Sequence, residues 1–70
     1  MNIILNQQPT DAAELVGDDH HIAALVAALK QDRPGVAVAK NDAIVSRSDW
    51  STTSFAAGDR IDIFSVIAGG

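Results

Sequence analysis

The stretch that decides the fold is Asp18-Asp19-His20-His21-Ile22-Ala23-Ala24-Leu25-Val26-Ala27-Ala28-Leu29-Lys30. Ile22, Leu25, Val26 and Leu29 recur at i, i+3, i+4 and i+7, which places four branched apolar side chains on one stripe of a helix. Ala23, Ala24, Ala27 and Ala28 fill the rest and favour the same conformation. Asp18 or Asp19 can accept from the free N–H groups at the start, and their charge suits that end of the helix dipole. Lys30 suits the other end. Arg33-Pro34-Gly35 stops the helix, because a residue before proline is pushed out of the helical region. A helix with one apolar stripe must lie on a second layer, so the flanking sequence has to supply one.

It supplies strands. Upstream, Asn2 to Asn6 puts Ile3 and Leu5 on one face and Asn2, Ile4 and Asn6 on the other. Gln7-Gln8-Pro9 breaks this strand, since proline cannot donate to a central ladder. Thr10 to Leu15 is read as a second strand forming a hairpin with the first, although Ala12, Ala13 and Glu14 are poor strand formers. Val16-Gly17-Asp18-Asp19 is turn chemistry. Downstream, Val36 to Lys40 is a strand with Val36 and Val38 on one face. Asn41-Asp42 makes a tight turn, and Ala43-Ile44-Val45 returns. Ser46 to Ser54 is a polar connection in which Ser48 can cap a single helical turn that plants Trp50 on the core. Gly58-Asp59 turns into a last strand, Arg60-Ile61-Asp62-Ile63-Phe64. The expectation is an α+β domain: a mixed five-stranded sheet packed on one main helix, with the other sheet face open. If Ile61 and Ile63 face the helix, Phe64 and Val66 lie on that open face with Ile4, provided the first and last strands are neighbours.

The chain has 70 residues, room for one domain with a small core. It has no cysteine, so neither disulfides nor thiolate metal sites are available. Nine acidic and five basic residues give a net charge of −4, with no Lys/Arg cluster. Nucleic-acid binding, which needs a basic footprint, is disfavoured. Mild acidity fits a protein partner with a basic surface, and it is also ordinary for solubility. No apolar run is long enough for a membrane span, and Met1-Asn2-Ile3 lacks the basic start of a signal peptide. A cytoplasmic protein is the expectation.

The body shows no active site. His20 and His21 are adjacent and cannot share a helix face, and no third ligand at a convincing spacing accompanies them. No carboxylate pair, nucleophile motif or phosphate-binding glycine loop stands out. No catalytic residue, metal ligand or bound cofactor is therefore assigned. What remains is the ending, Phe64-Ser65-Val66-Ile67-Ala68-Gly69-Gly70. Gly70 offers a carboxylate with no side chain behind it, and Gly69 a backbone without Cβ obstruction. Two terminal glycines also suit a frayed end, so the ending alone leaves both readings open.

The blocks Asn2-Ile3-Ile4-Leu5-Asn6, Val36 to Trp50, Gly58 to Phe64 and Val66-Ile67-Ala68-Gly69-Gly70 together resemble the ThiS family, the sulfur carriers of thiamin biosynthesis. The most specific parts are Asn41, Ile44-Val45, Arg47 and Trp50, the Gly58-Asp59 turn and the terminal Val-Ile-Ala-Gly-Gly. Residues 9 to 21 depart from the family pattern, as does Ser46, where proline is frequent. The resemblance implies a ubiquitin-like β-grasp domain over residues 1–65 and a flexible tail over 66–70. It implies a protein cosubstrate whose catalytic groups sit on its partners. An E1-like adenylating enzyme (ThiF type) would use ATP to activate the Gly70 carboxylate. Sulfur from a cysteine desulfurase relay would displace AMP, and a thiazole synthase (ThiG type) would take sulfur from the thiocarboxylate. Gly69, Ala68, Ile67 and Val66 would thread the partner's channel, and Phe64 and Ile4 would belong to the docking patch. Two alternatives are the small sulfur-carrier subunit of molybdopterin synthase, which shares the fold and the Gly-Gly end, and a non-catalytic ubiquitin-like binding module.

Overall fold

The structure, a computed structural model, describes residues 1–65; the expectations for Val66, Ile67, Ala68, Gly69 and Gly70, and for a tail over 66–70, lie outside the described residues. The elements run β1 (Asn2–Leu5), β2 (Gln8–Asp11), α1 (Ala12–Val16), α2 (Ile22–Ala28), β3 (Val36–Lys40), β4 (Ala43–Val45), a 3-10 turn (Arg47–Asp49) and β5 (Arg60–Ser65). The strands form one mixed sheet in the order β2-β1-β5-β3-β4. β1 and β5 are parallel neighbours at its centre, and the other pairs are antiparallel. This is the expected β-grasp arrangement.

The α2 stripe works as its spacing requires. Ile22, Leu25 and Val26 are fully buried and Leu29 packs at the margin. They meet Ile3 and Leu5 of β1, Ile61 and Ile63 of β5, and Val36 and Val38 of β3 in one core closed by Trp50 and Phe55. Alternation along each strand puts these residues on the helix side. Trp50 is held on both sides: its indole N–H donates to the Val45 carbonyl at 3.0 Å, and the Arg47 guanidinium lies 4.4 Å over its ring.

Five local expectations need correction. The second strand is Gln8–Asp11, not 10–15, and Ala12–Val16 is a helix capped by the Asp11 carboxylate, which accepts from the Ala13 N–H. Alanine-rich sequence follows its propensity there. Pro9, read as a breaker, lies inside β2 opposite Ile4. The Ile4 N–H is turned the other way, to the Asp59 carbonyl, so Pro9 occupies a position of an edge strand that needs no donor. α2 is not capped by Asp18 or Asp19. Its first free N–H groups, of Ile22 and Ala23, donate to the carbonyls of Thr53 and Trp50. At its other end, Lys30 adopts φ 58°, and the bonds Lys30 N–H to Ala27 and Gln31 N–H to Val26 close a Schellman motif before Pro34 is reached. Finally, the turn that plants Trp50 is preceded by Ser46 rather than Ser48, and the Ser46 hydroxyl donates to Asp49.

Candidate functional site

The sheet has two faces, and the helices occupy one. On the other, the strand registers place Ile4 opposite Arg60, Asp62 opposite Ala39, Phe64 opposite Ala37, and Ile44 opposite Ala39. Phe64 is 43% exposed and Ile44 69%, the two large apolar side chains most open to solvent among the described residues. Between them lie the small side chains of Ala37 and Ala39, with Asp62 flanking Ala39 on β5, so this half of the face is shallow and carries one carboxylate beside its apolar residues.

The expected neighbours, β1 and β5, are indeed adjacent, so Ile4 and Phe64 share the open face. They are not brought together. Ile4 is level with Arg60, four residues before Phe64, a separation of about 13 Å along a strand. Arg60 and Asp62 intervene, and Ile4 is half-buried. Ile44 is the other exposed apolar side chain of this face, two strands away from Phe64, and sequence reasoning passed it over. The signal was present: a two-residue turn at Asn41-Asp42 puts Ile44 opposite Ala39, one step out of phase with the core residue Val38.

Where β5 ends, the molecule is open on the other side as well. A groove of about 380 Å³ lies between the β1–β2 turn, the end of α2 and the last residues of β5, with Leu5, Leu29 and Ile63 at its base and Asn6, Gln8 and Gln31 at its rim. β5 ends at this corner, at Ser65.

The titratable groups are arranged structurally. His20 packs on Phe55 with ring centroids 5.8 Å apart, and the Nδ1 of the exposed His21 lies 2.8 Å from Asp19; both precede α2, which begins at Ile22. Asp59 accepts from the Ala56 N–H at 2.8 Å, and this bond holds its carboxyl below the usual carboxylate range. Partial burial opposes the shift, while the Asn41 amide and the Lys40 ammonium reinforce it. This cluster lies at the start of β5, away from the exit corner.

A family model described as "ThiS family" matches residues 3–70. The chain belongs to the ThiS family. Among relatives of that family, the sulfur carrier protein ThiS of Escherichia coli (strain K12) is 39% identical over 70 residues, and the alignment covers 100% of both chains. Among solved structures, the thiamine biosynthesis protein ThiS from Geobacter metallireducens superposes with a TM-score of 0.82 at 25% identity, again over 100% of each chain. The ThiS resemblance and the β-grasp expectation are thereby upheld. No helix among the described residues is long and apolar enough to cross a membrane.

Proposed function

We propose that this ThiS-family chain is a cytoplasmic sulfur carrier for thiamin biosynthesis and that its reactive group is the Gly70 carboxylate. The observation that carries the reading is the end-to-end match to a sulfur carrier, in which no part of either chain is left over. The absence of a catalytic constellation in the sequence fits a protein that is acted upon.

A carboxylate is a poor electrophile, so it must first receive a leaving group. A carboxylate oxygen of Gly70 attacks the α-phosphorus of ATP on an E1-like, ThiF-type enzyme, and pyrophosphate departs. A hydrosulfide equivalent from a donor such as a cysteine desulfurase relay then attacks the acyl carbon, and AMP leaves with the C–O bond electrons. The product is a thiocarboxylate on Gly70, from which a ThiG-type thiazole synthase takes sulfur. Gly69 and Gly70 carry no side chains and can approach a nucleotide closely. Ala68, Ile67 and Val66 are the residues that follow them into the partner's channel. ATP belongs to the partner, and this chain supplies the substrate atoms.

The docking surface is the half of the open face that carries Phe64 and Ile44, with Ile4 at its margin. Phe64→Asp should weaken capture by the adenylating enzyme about 10- to 100-fold, the value of one buried aromatic side chain. The deciding measurement is intact mass after incubation with ATP, the cognate adenylating enzyme and a sulfur donor. A gain equal to exchange of one oxygen for sulfur, located in the C-terminal peptide and abolished by removal of Gly70, is expected. An unchanged mass with a competent enzyme overturns the reading. Capture of a molybdopterin synthase large subunit in place of thiazole synthase would assign the carrier to the other pathway.

A further inference from the structure

We infer that Asn6 is a positioning residue that aims the C-terminal segment, an inference resting on the sulfur-carrier reading above. β1 ends at Leu5, and the chain turns away through Asn6-Gln7 into β2, while β5 continues to Ser65. The β1 side of β5 therefore loses its strand partner just where the chain heads for residues 66–70. Asn6 takes over the ladder alone. Its N–H donates to the Ile61 carbonyl at 2.9 Å, and its side-chain Oδ1 accepts from the Ile63 N–H at 2.8 Å. The amide carbonyl thus stands where the next residue of a longer β1 would place its own. Beyond it on this side is the open groove, so packing does not replace the bond. On the opposite side, Phe64 is paired with Ala37 of β3. The exit of β5 is held on the β3 side by the pairs Phe64–Ala37 and Ser65–Val36, and on the β1 side by one asparagine.

The choice of residue follows from the backbone. Asn6 has φ 48°, a conformation that asparagine tolerates better than most side chains. A glycine would suit the turn equally and would lack the acceptor. Loss of the bond leaves the chemistry at Gly70 unchanged but loosens the β1 side of the end of β5, from which the C-terminal segment continues. The partner must then order it on binding, so KM rises and kcat does not.

The test compares Asn6→Gly, which keeps the turn and removes the acceptor, with Asn6→Asp, which keeps both. Amide hydrogen exchange by NMR and steady-state adenylation kinetics with the cognate enzyme are the readouts. Asn6→Gly should accelerate exchange at the Ile63 amide and raise KM roughly fivefold, the equilibrium value of one net hydrogen bond, at unchanged kcat. Asn6→Asp should stay within about twofold of wild type in both readouts, well under one hydrogen bond's value. Faster exchange at Ile63 with an unchanged KM overturns the inference, as does an equal KM rise in both variants. Wild-type protein that is not adenylated at all overturns the carrier reading itself, an outcome distinct from a wild type that is loaded and an Asn6→Gly variant loaded equally well.

Discussion

Two turns in this molecule use one backbone solution for different ends. Asn6-Gln7 joins β1 to β2 and Asn41-Asp42 joins β3 to β4, each a two-residue hairpin loop with positive φ at both positions. That pattern is the type I′ turn whose twist matches the strands it joins. In both, the leading asparagine turns its side-chain carbonyl onto β5, Asn6 to the Ile63 N–H and Asn41 to the Arg60 N–H. The last strand is thus pinned from both flanks, near its end by one turn and at its start by the other. The difference is in the support. Asn41 also donates to Asp59, which is tied to Ala56 and Lys40, whereas Asn6 stands beside an open groove. The same device is a structural joint at one end and, on our reading, an aiming device at the other.

The comparison can be broken in graded ways. Asn41→Gly has the largest expected effect on stability, because it removes an acceptor from Arg60 and a donor from Asp59 together. It should cost about 1–2 kcal/mol in urea unfolding, two hydrogen bonds partly offset by relief of the positive φ. Asn6→Gly removes one bond and should cost about half as much, within about 1 kcal/mol. The two losses should add within about 0.5 kcal/mol in the double variant if the turns are independent joints; strong coupling would show that β5 responds as one rigid bar.

Acid should sharpen the contrast at the Asn41 end. The folded pKa of Asp59 is depressed, so its contribution is fully present above the unfolded value of about 4 and is lost as pH falls through the folded pKa. Thermal unfolding as a function of pH should show that loss in wild type and less of it in Asp59→Asn. An identical acid slope would deny Asp59 this role. The effect of opposite sign belongs to the second turn residues. Gln7→Gly should stabilise by about 0.5–1 kcal/mol by relieving φ 69° without losing a side-chain bond. Asp42→Gly relieves φ 70° but gives up the exposed ion pair with Arg60, so its net change should be smaller in the same melts.

The two turns also differ in how readily the sequence discloses them. Asn41-Asp42 is flanked by alternating apolar residues on both sides and reads directly as a hairpin. Asn6-Gln7 is followed by Gln8-Pro9, which reads as a break, because nothing local says that β2 is an edge strand in which a proline does no harm. Ile44 is the corresponding omission at the candidate docking face. Its exposure follows from register across the Asn41-Asp42 turn, yet a short apolar strand looks like core until its partner's inward face is known. Phe64, by contrast, is out of phase with Ile61 and Ile63 and was legible.

Local periodicity by itself determined the α2 stripe, the inward faces of β1, β3 and β5, and the α+β class, because 3.6- and 2-residue repeats are properties of neighbouring residues. The resemblance across the chain pointed to the family. Only the tertiary structure decided what caps α2, why Pro9 is tolerated, and that Asn6 completes β5. Those depend on groups 27 to 57 positions apart: Ala23 with the Trp50 carbonyl, Asn6 with the Ile63 N–H. A backbone donor or acceptor has no signature in its own side chain, so the partner it finds is written only in how the chain is brought together.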